Sequence, residues 1–320
     1  MEAYLGIDVG SVTTKFAVLN KSDELVTSLY LLTQGKPVTM VQQGLKQIKQ
    51  QLPKEVDICG VATTGSARYL TGVIVGADLV KNEITSHAVA TLLHIPEVQT
   101  IIEIGGQDSK IIIIRDGIVT DFGMNTVCAA GTGSFLDRQA QRLNISIEEF
   151  SRQALASNTA THIAGRCTVF AESDMVHKQQ MGYSTKDILY GLCQALVRNY
   201  LNNVGLGKDI RPPIVFQGGV AFNLGIVKAL QEELNAEIIV PPHHEVMGAI
   251  GAALLVHEEM VNNSNESKFN GFSVSEVNYY TSSFECRACP NLCEIAQLSL
   301  SGQVLARWGG RCDLWERILT

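Results

Sequence analysis

Two cysteines stand in stretches whose residue types suit chemistry better than packing. The first lies in Asn125-Thr126-Val127-Cys128-Ala129-Ala130-Gly131-Thr132-Gly133-Ser134-Phe135-Leu136. Small residues and a Gly-x-Gly lead there into the apolar spacing of Phe135, Leu136, Gln139 and Leu143, which predicts a turn feeding a helix. Cys128 is therefore expected at a helix N-terminus, where unpaired N–H groups and the positive end of the dipole favour a thiolate, the form that attacks or binds metal. A second stretch, Arg166-Cys167-Thr168-Val169-Phe170-Ala171-Glu172-Ser173, echoes the first. Two thiolates fall short of a four-ligand metal site.

Two further stretches pair a carboxylate with a glycine turn. Leu5-Gly6-Ile7-Asp8-Val9-Gly10-Ser11-Val12-Thr13-Thr14-Lys15-Phe16 reads as a hairpin with an acid at the end of its first strand. Ile101-Ile102-Glu103-Ile104-Gly105-Gly106-Gln107-Asp108-Ser109-Lys110-Ile111 repeats the plan about 95 residues later: acid, apolar residue, Gly, polar turn, Lys, apolar strand. Such a repeat predicts two similar lobes, each offering one turn to a shared cleft. Glycines let backbone N–H groups approach phosphate oxygens, hydroxyls add donors, and carboxylates such as Asp8 and Glu103 can hold hydrated Mg2+. No Gly-x4-Gly-Lys-Ser/Thr is present, so a Walker-type nucleotide loop is excluded. A third glycine turn, Gly218-Gly219 after Ile214-Val215-Phe216-Gln217, would let a flat ring lie against the backbone and is a candidate adenine site.

The elements that must position these residues follow from periodicity. Helices are expected over Thr39–Gln51, from Lys81, over Ile145–Leu155, over Asp187–Val204 and, rich in small residues, over Gly248–Leu255; strands are expected at Val56–Ala62 and Glu237–Val240. His87 is expected to hydrogen-bond on a helix face, and His243 and His244 to lie at the surface. Cys59 and Cys193 sit in apolar surroundings and are expected in the core. Asn262 to Lys268 reads as a polar linker. Beyond it a short β-rich tail carries Cys286-x2-Cys289-x3-Cys293, a hairpin through Leu298 to Gly302, and Gly309-Gly310-Arg311-Cys312. A tail this small buries little core, so its four cysteines are expected to bind zinc or a second iron–sulfur cluster.

Composition bounds the function classes. With 320 residues, 46% of them hydrophobic, the chain has material for two globular lobes. The 25 basic and 32 acidic residues give a net charge of −7 with no basic block, which argues against nucleic acid and against a polybasic membrane patch. No apolar run reaches the roughly 18 residues of a membrane span. The N-terminus enters a strand at once without a signal-like region, so a cytoplasmic location is expected, and eight cysteines there point to metal or redox chemistry rather than disulfides.

With these residues assembled, the chain from about Tyr4 to Val256 resembles the ATP-dependent activators of 2-hydroxyacyl-CoA dehydratases, the related benzoyl-CoA reductase ATPase subunits (the BadF/BadG/BcrA/BcrD type) and the reductases of double-cubane cluster proteins. The resemblance rests on the Asp8 hairpin, Gly105-Gly106-Gln107-Asp108, the Cys128 and Cys167 motifs and Gly218-Gly219-Val220-Ala221. It implies the α/β fold of acetate and sugar kinases, heat-shock chaperone ATPases and actin, which is ribonuclease H-like. Lobe I would span 1–85, with helix 246–258 returning to it, lobe II 86–245 with the cluster cysteines, and the linker and tail 259–320. Each lobe would be a mixed five-stranded sheet, with ATP or ADP between them. It further implies a homodimer in which Cys128 and Cys167 of both chains hold one 4Fe-4S cluster. Asp8 and Glu103 would serve Mg2+ through water, the turns at Gly10, Ser11, Thr13, Thr14 and Lys15 and at Gly105, Gly106, Gln107 and Asp108 would cradle phosphates, and Gln107 would orient the attacking water. Many relatives carry Asp where this chain has Glu103. The implied activity is ATP-driven electron transfer from ferredoxin or flavodoxin to an iron–sulfur acceptor enzyme. The rival readings are a small-molecule or sugar kinase of the same fold and a nucleotide-gated redox-sensing scaffold.

Overall fold

The computed structural model of the chain describes every residue except Arg166, Ser264, Asp313 and 316–320. Arg166, which opens the second cysteine motif, and Ser264, inside the expected linker, thus lie outside the described residues. Contacts divide the chain into two compact units, Met1–Ser86 with Gly248–Thr320, and His87–Met247.

In the first unit, β1 (Glu2–Val9), β2 (Thr13–Asn20) and β3 (Leu25–Leu32) form an antiparallel meander, and α1 (Pro37–Gln51) leads to β4 (Asp57–Thr64), which returns parallel to β1. Pro37 opens α1, where its missing N–H costs nothing. α2 (Arg68–Val75) then crosses to the two-residue β5 (Leu79–Val80), giving the sheet order β3-β2-β1-β4-β5. α3 (Glu83–His94) carries the chain into the second unit.

There β6 (Thr100–Ile104), β7 (Ser109–Arg115) and β8 (Ile118–Asn125) form a second meander. Four helices follow: α4 (Gly133–Arg142), α5 (Ile147–Leu155), α6 (Thr168–Gln180) and α7 (Thr185–Tyr200). Ser146 caps α5 by accepting from the Glu149 amide at 3.1 Å, the Ser-x-x-Glu signature of a helix start. α7 ends at Tyr200, short of the expected Val204, and the chain continues as a π-helical turn over Leu201–Gly205. β9 (Ile214–Gln217) returns parallel to β6, and α8 (Leu224–Leu234) crosses to β10 (Ile238–Ile239). The order β10-β9-β6-β7-β8 reproduces the first sheet strand for strand. The run Ile111 to Ile114 is buried throughout, as a continuous apolar run is when both faces of its sheet are covered.

α9 (Met247–Asn263) re-enters the first unit and extends beyond the expected small-residue helix, taking in Asn262 and Asn263 of the expected linker. The Asn263 side chain donates to Glu259 one turn back at 2.7 Å. The remaining strands, β11 (Tyr279–Glu285), β12 (Glu294–Leu300) and β13 (Gln303–Trp308), form an antiparallel sheet whose β12–β13 turn uses positive φ at Ser301 and Gly302. This tail does not stand alone. Val274 and Leu298 belong to the core of the first unit with Ile7, Val18 and Leu45, Gln42 of α1 donates to the Val274 and Val277 carbonyls, and Asp78 accepts from Ser267 and from the Lys268 amide. The tail shares the core of the first unit. Leu298→Ala is accordingly expected to cost about 2–5 kcal/mol in chemical denaturation; a loss under about 1 kcal/mol would show the tail to be an appendage.

Candidate functional site

The two acid hairpins share one construction. Strand register sets Asp8 opposite Lys15 and Glu103 opposite Lys110, because a two-stranded antiparallel ladder pairs residues symmetrically about its turn. Each pair closes as an ion pair, at 2.8 Å for Lys15 and Asp8 and 2.9 Å for Lys110 and Glu103. Each turn is tied by the same backbone bond, Gly10 N–H to Thr13 O at 2.9 Å and Gly105 N–H to Asp108 O at 3.0 Å. Asp8 and Glu103 are both buried, and Lys110 is more deeply so than Lys15.

The turns differ in their side chains. In the first, Ser11 is exposed and Thr13 is buried, while the Thr14 hydroxyl bonds Thr33 at 2.9 Å and Thr33 donates on to the Gly10 carbonyl at 3.0 Å. The Thr14 hydroxyl is thus engaged inside the sheet. In the second, Gly105, Gly106 and Asp108 are half-buried, Gln107 is exposed, and Asp108 adds a 3.1 Å contact to Lys110.

A second symmetry was invisible in sequence. Gly65 follows β4 at φ +88° and Gly218 follows β9 at φ +93°, so each parallel strand ends in a left-handed glycine. A Cβ on Gly65 would lie 2.5 Å from Asp8 Oδ1, and one on Gly218 would lie 2.8 Å from Glu103 Oε1. Only glycine allows both the conformation and the approach to the carboxylate. Near these acids, Thr64 Oγ1 and Ser109 Oγ are buried with no hydrogen-bond partner among the described residues, which leaves polar capacity for a ligand or water.

Gly218 is also held from behind. Its N–H donates to the His244 carbonyl at 2.9 Å, and His244 Nδ1 lies 3.2 Å from the Gly218 carbonyl with its ring edge-on to Phe222. His244 is therefore a structural neighbour of the Gly218-Gly219 turn rather than a surface residue. His243, by contrast, is exposed. His87 behaves as expected: it is buried on α3 and its Nδ1 pairs with Gln217 at 2.9 Å, while Thr91 donates to the same amide at 3.0 Å.

The cysteines occupy the connection between β8 and β9. Cys128 precedes a single 3-10 turn, Ala129–Gly131, and α4 begins only at Gly133; Cys167 directly precedes α6. Asn125 fixes the first thiol's backbone, accepting from the Cys128 amide at 2.9 Å and donating to its carbonyl at 2.7 Å. Ala130, Gly165 and Cys167 line one shallow recess with Ala195 of α7. Asn199, near the end of α7, donates to the Gly165 carbonyl at 2.8 Å, and its Oδ1 would lie 3.1 Å from a Cβ on Gly131. One helix end thus lies against both cysteine loops. Large apolar side chains beside them are left in solvent: Val127 is 93% exposed, Val169 66% and Phe170 68%.

Of the other cysteines, Cys193 is buried and its thiol is pushed up by burial, whereas Cys59 on β4 is only half-buried. Among the described residues, no three His, Cys, Asp or Glu side chains converge on a metal position. Of the tail cysteines, Cys286 is buried and accepts from Trp315 Nε1 at 3.1 Å, while Cys289 and Cys312 are exposed. Cys128 and Cys167 number two per chain, below any such set by themselves. Among the described residues no helix is long and apolar enough to cross a membrane.

Residues 5–256 match the BadF/BadG/BcrA/BcrD ATPase family. The chain belongs to that family. It is 36% identical over 262 residues to the (R)-2-hydroxyglutaryl-CoA dehydratase activating ATPase of Acidaminococcus fermentans, covering 80% of this chain and 97% of that protein. The activator of the 2-hydroxyisocaproyl-CoA dehydratase from Clostridium difficile, solved with bound ADPNP, superposes with a TM-score of 0.75 at 33% identity, over 82% of this chain and 97% of the other. A ROK family glucokinase from Streptomyces griseus, at 12% identity and a TM-score of 0.51 over 80% of this chain and 99% of its own, shares the fold alone. The family match ends at residue 256, so the three-stranded tail sheet of this BadF/BadG/BcrA/BcrD-family member lies outside it.

Proposed function

We propose that this family member is an ATP-hydrolysing reductase that activates a 2-hydroxyacyl-CoA dehydratase or a double-cubane cluster protein by low-potential, single-electron transfer from ferredoxin or flavodoxin. Relatives named as dehydratase activators align over nearly their whole length, one of them solved with an ATP analogue. The duplicated acid, lysine and glycine constructions suit phosphate and hydrated Mg2+, with Asp8 and Glu103 as the outer-shell carboxylates, Gly10, Ser11 and Thr13 and Gly105 to Asp108 as the phosphate turns, and Gln107 positioned by its exposure to meet water. Gly218 and Gly219 are the candidate adenine rest.

The observation that carries the redox reading is the pair of cysteines, each just ahead of helical backbone, beside exposed Val127, Val169 and Phe170. Two thiols per chain fit half of a four-thiolate site, and the apolar rim fits a second copy of the chain supplying the other half. A 4Fe-4S cluster bound there would supply one-electron chemistry; the chain's part is to hold Cys128 and Cys167 through Asn125 and Asn199.

The test is anaerobic purification with iron and sulfide reconstitution. About four irons per dimer and an ATPase are expected. A protein that stays colourless and iron-free while hydrolysing ATP would leave an ATPase without this redox role.

A further inference from the structure

Strand register aligns one residue from each of four strands into a row across each sheet. In the first unit the row reads Tyr30, Lys15, Asp8, Thr64; in the second it reads Met124, Lys110, Glu103, Gln217. Partners in register point to the same face of a sheet, so the last member of each row stands beside the acid, on the strand that flanks it opposite its lysine.

The rows differ at that last place. The Gln217 amide is engaged by α3: its Oε1 accepts from Thr91 at 3.0 Å and its Nε2 pairs with His87 Nδ1 at 2.9 Å. Thr64 is 0% exposed, and its hydroxyl has no hydrogen-bond partner among the described residues. Its neighbour Thr63, by contrast, donates to the Arg68 carbonyl at 2.9 Å. Ser109, the other orphaned hydroxyl near an acid, is one residue off the second row and so belongs to the opposite face of its sheet.

An unpaired buried hydroxyl weakens a fold. It has given up water and received nothing in exchange, whereas valine, of the same shape, would pack at that place without the loss. What sets Thr64 apart from a packing residue is its place, beside a buried carboxylate that is paired with Lys15 at 2.8 Å. Gly65, next along the chain, keeps side-chain bulk off Asp8 Oδ1. A group that fits between this hydroxyl and this acid is small and polar, as a water of a hydrated cation is.

We propose that Thr64 is a positioning residue of the metal site: its hydroxyl holds a water of the hydrated Mg2+ supported by Asp8. This rests on the nucleotide reading above and adds a residue to it. A hydroxyl carries two lone pairs and one donor, so it can accept from a cation's water, whose protons are made more acidic by the charge. Outer partners of this kind orient what binds the metal, and removing one weakens metal binding or activity by about 10–100-fold. The second acid receives no such help, because the Gln217 amide is committed to His87 and Thr91.

The test uses the full-length chain, Thr64→Val and Thr64→Ser. Calorimetry measures affinity for a non-hydrolysable ATP analogue with Mg2+ and with EDTA, steady-state ATPase assays give the Mg2+ concentration for half-maximal rate, and denaturant unfolding is followed on the ligand-free proteins. Thr64→Val is expected to raise that Mg2+ concentration, and to weaken the analogue in Mg2+, by at least about 10-fold, while binding in EDTA stays within about twofold of wild type. Its unfolding midpoint should equal or exceed that of wild type, because a methyl has replaced an unpaired hydroxyl. Thr64→Ser, which keeps the hydroxyl, should return both Mg2+ readings to within about threefold of wild type. Unchanged Mg2+ dependence in Thr64→Val overturns the proposal and leaves the nucleotide reading standing. A lowered unfolding midpoint does the same, by making the hydroxyl part of the fold, and so does an equal loss of affinity in EDTA, which places the hydroxyl on the nucleotide itself. A wild type that does not bind the analogue, or binds it no better with Mg2+ than with EDTA, removes the reading on which the proposal rests.

Discussion

Replacing Cys128 by serine is expected to abolish the bridging cluster proposed above while leaving ADP and ATP-analogue affinity within about threefold of wild type. Cys128 and Cys167 lie in the β8–β9 connection, whereas the turn residues are fixed by strand register in each sheet. Serine preserves the backbone bonds to Asn125, which involve only the Cys128 amide and carbonyl. The loss is therefore one of ligation: each variant chain removes one of two thiols, and a symmetric site loses two of its four. Iron analysis, visible spectra and calorimetry on the same preparation check it. An equal loss of nucleotide affinity would show that the cysteine segment is part of the nucleotide site and sink the division of labour. Metal retained by Cys128→Ser has a separate source, and a further Cys289→Ser substitution that removes it would assign zinc or iron to the tail cysteines.

The half of the fold that sequence made plain is the half written in short range. Each acid hairpin is visible because its strands, turn glycine and lysine lie within a dozen or so residues, and register then forces Asp8 onto Lys15 and Glu103 onto Lys110. The other half of the repeat is carried by parallel pairing, β1 with β4 and β6 with β9, across connections of very different length. One helix, α1, fills the first connection, whereas the second holds α4 to α7 and both cysteines. That difference hides the equivalence of Gly65 and Gly218, which becomes evident only when each is seen against its carboxylate. Alternation along β2 sets Thr14 apart from Thr13 and Lys15 and gives its hydroxyl to Thr33, a strand-to-strand bond that the turn motif alone does not show. The role of His244 was missed because it belongs to no motif; it comes from the backbone atoms of a distant glycine. The packing of the tail was not legible, because its own apolar content is low and the core it shares with the first unit cannot be seen from within the tail.

The internal duplication supplies its own controlled experiment. Glu103→Gln is expected to destabilise the protein by about 3 kcal/mol and to lower ATP hydrolysis at least about 100-fold, while Asp8→Asn should match the catalytic loss at a smaller cost in stability. The acids are equivalent in position, but their lysines differ: the Lys110 side chain is 2% exposed, against 14% for Lys15. Neutralising Glu103 leaves a deeply buried ammonium with Asp108 beside it at 3.1 Å, a carboxylate that is itself a third exposed and so screened by solvent. Lys15 can reach water with little rearrangement once Asp8 is neutral. Denaturant unfolding and steady-state ATPase assays on the two variants separate the terms. If Glu103→Gln costs under about 1 kcal/mol, Asp108 compensates Lys110 fully and the buried pair is not what stiffens the second turn. If only one of the two variants loses hydrolysis, the two hairpins, alike in register and hydrogen bonding, have divided the work between the carboxylate that supports the metal and the one that merely holds its lysine.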